Sequence, residues 1–158
     1  NWGHTKLKKV LLATGIASPN RASNQDREID GFHFKVRYKY VGSPSPERGF
    51  CKEMMSAAKI YRKEDIIRMG KSGINRDQGH NGELMDIWKF KGGVSCEHKW
   101  ERRTYVSANK TASIGSAKTN QISTGKARKF GYRPTNEKEV SVKPHDMTNQ
   151  GHHPDYKN

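Results

Sequence analysis

Three side chains in this sequence have the types and spacing of metal ligands: Cys51, and the Cys-x-His pair Cys96 and His98. The pair follows Gly92-Gly93, and a turn there lets both side chains point to one centre. Cys51, placed on the first turns of a helix, closes the site from across the core, and a helix N-terminus favours its thiolate form. Zinc takes four N, S or O ligands in a tetrahedron. A fourth donor therefore has to come from His80, His33 or a carboxylate such as Glu47. Two other readings fit the same residues. Both cysteines also suit a packed core as small hydrophobes, with His98 hydrogen-bonded beside them. A Cys51–Cys96 disulfide suits an assembly that leaves the cell. No Cys-x-x-Cys pair is present to decide among the three.

The second constellation is cationic. Lys35, Arg37 and Lys39 interleave with aromatic residues, and Lys99, Arg102 and Arg103 follow in a later segment. Interleaved cations and rings bind nucleic acid when phosphates meet the cations and bases stack on exposed rings. Strand alternation here sends the rings inward, leaving the charges to solvent, DNA or an acidic protein neighbour. His145, His152 and His153 lie among Pro144, Gly151 and Pro154, a composition that reads as extended peptide. No Ser-His-Asp spacing, phosphate-binding glycine loop or His-Glu-x-x-His stands out. Gly79-His80-Asn81-Gly82 reads as a glycine-punctuated surface loop before it reads as part of a nuclease site. The chain is expected not to be an enzyme.

The elements that would position these residues follow from periodicity. Phe32, Phe34, Val36, Tyr38 and Tyr40 alternate with His33, Lys35, Arg37 and Lys39, which predicts a half-buried strand with a cationic outer face. Ser45, Pro46 and Glu47 suit a helix start, and Phe50, Met54, Ala57 and Ala58 share a face, predicting a helix over 46–59. A second short helix is expected over 62–69, ended by Gly70 and Gly73. Residues 84–90 read as a strand that turns at Gly92-Gly93 and pairs with the return leg 94–106. Residues 18–30 read as loop, as do residues 70–82.

Composition sets the frame around that core. The 158 residues are 32% hydrophobic, with a mean hydropathy of −1.03, below what one compact domain of this length uses. Part of the chain therefore cannot bury enough apolar surface to offset the entropy of ordering it. The expected architecture is α+β, a small antiparallel sheet packed with one or two short helices. A core over 31–106 would carry a Cys/His knuckle, an N-terminal arm or linker over 1–30 and a basic extended arm over 107–158. Phe32, Phe34, Val36, Tyr38, Trp88 and Trp100 are its expected buried members. A net charge of +14 favours a polyanion or acidic neighbour. No apolar run approaches membrane-spanning length, and two cysteines suit a reducing site of synthesis. A first residue of Asn1 suggests a processed product or part of a longer polypeptide.

The order of motifs is more specific than any one of them. Pro46-Glu47-Arg48-Gly49-Phe50-Cys51, then Met54-Met55, Tyr61-Arg62-Lys63-Glu64-Asp65-Ile66, and Lys91-Gly92-Gly93-Val94-Ser95-Cys96-Glu97-His98-Lys99-Trp100 run in series. That series resembles the C-terminal module of minor head proteins of tailed bacteriophages, the Mu-type head-morphogenesis family. It is similar above all to virion structural proteins of crAss-like and related phages of Bacteroidetes-type hosts. Many members carry a Cys-x-x-Cys, whose earlier position is Arg48 here. The resemblance implies a minor head, portal or neck-associated component, made in the host cytoplasm and carried in the virion. Its partners would be other virion proteins and packaged DNA, with no membrane, and Arg48 in place of the earlier cysteine leaves Cys51, Cys96 and His98 as a partial zinc site. Two other classes fit the composition: an RNA- or DNA-binding structural protein such as a ribosomal component, and a zinc-dependent nuclease.

Overall fold

The computed structural model describes residues 14–42, 49–72, 87–90 and 98–133. Its backbone is the alternating segment singled out above, which forms the ten-residue strand β2 (Phe32–Val41). A tight hairpin feeds it from β1 (Arg27–Ile29), with Ile29 opposite Phe32. The two turn residues, Asp30 and Gly31, both have positive φ, 50° and 82°. That is the conformation of a two-residue turn whose twist matches the strands, and Asp-Gly is its preferred sequence.

On its other edge β2 pairs antiparallel with β4 (Lys99–Ser107), from His33 opposite Ser107 to Val41 opposite Lys99. Strand β5 (Asn120–Ile122) then adds to β4, and the short β3 (Ile60–Tyr61) pairs with β2 beyond the end of β1. The result is a five-stranded antiparallel sheet of order β1-β2-β4-β5, with β3 off that path. Among the described residues four short helices accompany it: α1 (Gly49–Ala57), α2 (Lys63–Lys71), α3 (Ile87–Phe90) and α4 (Thr124–Lys129). The α+β class and the small open sheet are thus as expected. Among the described residues no helix is long and apolar enough to cross a membrane.

Several expectations are corrected. Residues 87–90 form a helical turn, not a strand. Ile87 and Trp88 are adjacent and both buried, which strand alternation does not allow on a one-sided sheet. The segment 99–107 pairs not with that neighbour but with β2, whose long edge offers a matched row of partners. Gly70 does not stop α2: it is buried within the helix, which runs to Lys71 and caps at Ser72. Phe32 is 43% exposed, whereas Phe34, Val36, Tyr38, Trp88 and Trp100 are buried.

The expected boundaries of the core also move. Before residue 31, β1 joins the sheet and Ile16 and Ala17 pack on the core. After residue 106, β5 extends the sheet, and Ala127 and Tyr132 are core residues. Tyr132 stacks on Phe34 with ring centroids 5.2 Å apart, and its hydroxyl donates to the Gln25 carbonyl at 2.7 Å. Residues 107–133 are therefore built into the fold, while residues 134–158 of the expected arm lie outside the described residues.

Two buried arginines hold the polar segment 18–26 onto this frame. Arg37 is wholly buried on β2. Its Nη atoms grip Asp26 at 2.7 and 3.3 Å and also reach the carbonyls of Val36 and Arg21; Nε donates to Pro19 O at 2.7 Å. All five guanidinium N–H donors are used. Arg62, ahead of α2, clasps the buried Asp65 at 2.7 Å and donates to Ala22 O at 2.7 Å. Asp65 in turn accepts the backbone N–H of Ser18 and Arg62 at 2.9 and 3.0 Å. Glu64 takes the Ser23 hydroxyl and the Asn24 N–H.

Two stability predictions follow from this core. Arg37→Ala strands Asp26 and three carbonyls, and breaking a buried pair costs about 3–5 kcal/mol; urea unfolding should show that loss, and an unchanged midpoint would refute the assignment. The second concerns pH. Burial pushes the Tyr61 and Tyr132 phenols far above their ordinary range, with Asp65 adding at Tyr61 and Asp26 at Tyr132. The folded state keeps protons that the unfolded chain loses near pH 10, so stability should fall as pH rises past about 10. The Tyr61 hydroxyl is buried with no hydrogen-bond partner among the described residues. Tyr61→Phe is therefore expected to raise stability by about 1 kcal/mol at neutral pH and to flatten the alkaline fall.

Candidate functional site

The ring of Tyr40 is where two of the candidate metal ligands, Cys51 and His98, meet. Alternation along β2 turns Tyr40 into the core, where it is 2% exposed. Helix α1 delivers Phe50 edge-on to that ring, with centroids 5.7 Å apart. The next residue, Cys51, lies with Sγ 3.3 Å from the Tyr40 hydroxyl. From β4, Trp100 meets the ring at 4.8 Å in a T-shaped contact. His98, just ahead of β4, stacks flat on it at 5.2 Å with 2° between the planes. Trp100 also carries the packing onward, edge-on to Tyr61 at 5.7 Å and donating its indole N–H to Ile87 O at 2.9 Å.

Cys51 and His98 thus share one ring, and both are buried. Cys96 and His80, the other two expected ligands, lie outside the described residues, as does Glu47. His33 is ruled out as the fourth donor: it sits seven residues from Tyr40 on the same strand, about 23 Å away along an extended chain. Among the described residues no group of three or more His, Cys, Asp and Glu side chains could hold a metal ion. A zinc knuckle is not shown.

The His98 ring is seated by a glycine. A Cβ at Gly42 would fall 2.5 Å from His98 Cδ2 and 2.7 Å from Cγ, so no larger residue fits without moving the imidazole. Gly42 reads in the sequence only as the start of a turn; its role here is close approach.

The cationic set divides in two. Cross-strand partners share a face, so the register puts Lys35, Arg37, Lys39, Lys99 and Arg103 on one side of the sheet. Arg102 is opposite Tyr38, on the core side, and reaches Thr124 Oγ1 at 3.3 Å. The expectation that Arg37 belongs to an open cationic face is corrected: the guanidinium is covered and committed to Asp26. Lys35, Lys39 and Arg103 are half-buried and Lys99 is exposed, while Arg103 pairs with Glu101 at 3.0 Å. The Lys35 ammonium is held below its ordinary range by burial and then by the Arg37 charge, with Asp26 offsetting part of the shift.

No family model, no curated protein and no solved structure matches the chain.

The seating of His98 is testable by a double-mutant cycle. Gly42→Ala should destabilise the fold by about 1–3 kcal/mol through overpacking and change the near-ultraviolet circular dichroism of the Tyr40 cluster. In a His98→Ala background the overpacking part of that cost should vanish, leaving only the strain of an alanine at φ 156°, so the same substitution should cost measurably less. Equal costs in both backgrounds would show that the imidazole is not the obstacle.

Proposed function

We propose that the chain is a structural component of a tailed-phage virion, a minor head, portal or neck-associated protein that docks in a multi-subunit assembly. One observation carries the reading. Much of the described part of the motif series converges on a single core, although Met55, Lys63 and Glu64 are half-buried and Lys99 is exposed. Phe50, Cys51 and Met54 from α1, Tyr61, Asp65 and Ile66 from β3 and α2, and His98 and Trp100 at β4 are all buried. An ordered series scattered over fifty residues of sequence thus corresponds to one packed unit, as expected of a shared module. The basic balance of the chain, +14, suits a neighbour that is acidic or is itself packaged DNA.

Zinc is part of this reading only through Cys96 and His80 joining Cys51 and His98, since a closed structural site takes four ligands. The pair at Tyr40 supplies two of them. One zinc per chain by elemental analysis would support the knuckle. No metal would assign Cys51 and His98 to packing around the tyrosine.

The assembly reading is tested by fractionating cells that make the protein. The chain should band with DNA-filled particles in a density gradient and give peptides in mass spectrometry of those particles beside the capsid proteins. Recovery with ribosomal subunits, or as a monomer separate from any particle, would overturn it.

A further inference from the structure

Among the described residues, exposed rings and exposed cations occur together not on the face of β2 and β4 but at the end of the sheet where α4 packs. Phe32, at the start of β2, is 43% exposed, and Phe130, the residue that caps α4, is 48% exposed. Their ring centroids are 6.2 Å apart with 45° between the planes. The pair is fixed from below. Phe130 touches the buried Phe34 at 6.0 Å, Phe34 stacks on Tyr132, and Ala127 of α4 is wholly buried. The Phe130 N–H donates to Ala127 O at 3.1 Å. Two half-bare rings are thereby held at set positions in water.

Cations lie close to Phe130 along the chain. Lys126 and Lys129 of α4 and Arg133 just beyond it are exposed. The wider stretch 102–136 holds Arg102, Arg103, Lys110, Lys118, Lys126, Arg128, Lys129 and Arg133 and not one Asp or Glu. The adjoining hairpin carries two exposed carboxylates, Glu28 and Asp30, with Arg27 beside them.

We propose that α4 and the Phe32/Phe130 pair form a contact surface for single-stranded nucleic acid. Lys126, Lys129 and Arg133 would meet phosphates, and the two rings would take unpaired bases. The choice of ligand follows from the combination. An acidic peptide uses the cations and leaves the rings in water. A duplex offers phosphates but keeps its bases stacked inside. A single strand presents a row of phosphates and open base faces together, which matches both halves of this surface. This surface is separate from the Tyr40 cluster, and the inference holds whether or not the virion reading does.

The test is fluorescence anisotropy of the full chain with labelled oligothymidylate, the same measurement with a mixed-sequence duplex, and competition by polyglutamate. Oligothymidylate should bind more tightly than duplex, with affinity falling as salt rises. Lys126→Glu with Lys129→Glu should weaken binding at least tenfold and reduce the salt dependence. Phe130→Ala should weaken single-strand binding about fivefold or more and leave duplex binding unchanged. Phe32→Ala, at the strand's exposed end, gives the same readout if the Phe130 change disturbs the fold by circular dichroism. Three outcomes would each overturn the proposal: no binding to oligothymidylate, equal displacement by polyglutamate and by unlabelled oligothymidylate, or loss of binding with Lys39→Glu and Lys99→Glu while the α4 variant binds normally.

Discussion

The fold depends on two guanidinium groups taken out of water. Arg37 and Arg62 between them bind carbonyls at Pro19, Arg21 and Ala22, and each is neutralised by a carboxylate, Asp26 or Asp65. A segment of nine residues with almost no apolar side chain is thereby made part of the structure. Burying a charge is unfavourable unless it is paired and its donors are satisfied, and here both conditions are met. Hydrophobic contacts could not have held this segment, because it has too few to offer. The arginines do so through its backbone.

The hydrophobic half of the structure is organised along β2. Phe34, Tyr38 and Tyr40 each meet a ring brought by a different element: Tyr132 from beyond α4, Trp88 from α3, and Phe50, His98 and Trp100 from α1 and β4. Oriented aromatic pairs contribute about 0.5–1.5 kcal/mol each beyond the area they bury. For a chain with a modest share of apolar residues, that geometry matters. It lets a thin core hold helices that are too short to be stable by themselves.

The legibility of the sequence tracks how local each interaction is. The alternation in β2 is a property of ten consecutive residues, and it was readable. The α1 and α2 segments were also readable from their apolar faces, though not their ends, because Gly70 is held in α2 by burial and not by propensity. The β1 hairpin left a signal, Asp30-Gly31, that a reading of 18–30 as plain loop passed over. The burial of Arg37 left none. Period-2 alternation gives it the same status as Lys35 and Lys39, and only the return of Asp26 over the strand distinguishes it. Tyr132 was similarly hidden, a lone ring in a polar stretch whose partner, Phe34, is far away in sequence. In the candidate site, Cys51 and His98 were readable as a converging pair, while the tyrosine between them and the glycine under the imidazole were not.

The pairing of β2 with β4 has a consequence for how the molecule is made. Its register joins His33 to Ser107 and Val41 to Lys99, so the rungs of the central ladder span from 58 to 74 residues of chain. Closing so long a loop costs entropy before any contact repays it, and topologies dominated by distant contacts fold slowly. On the ribosome β2 is synthesised well before its partner emerges, and its row of aromatic residues has to wait for it. During that interval the cations alternating along the strand have a use that the finished structure conceals: like charges repel, and they keep the nascent strands of neighbouring chains from pairing with one another.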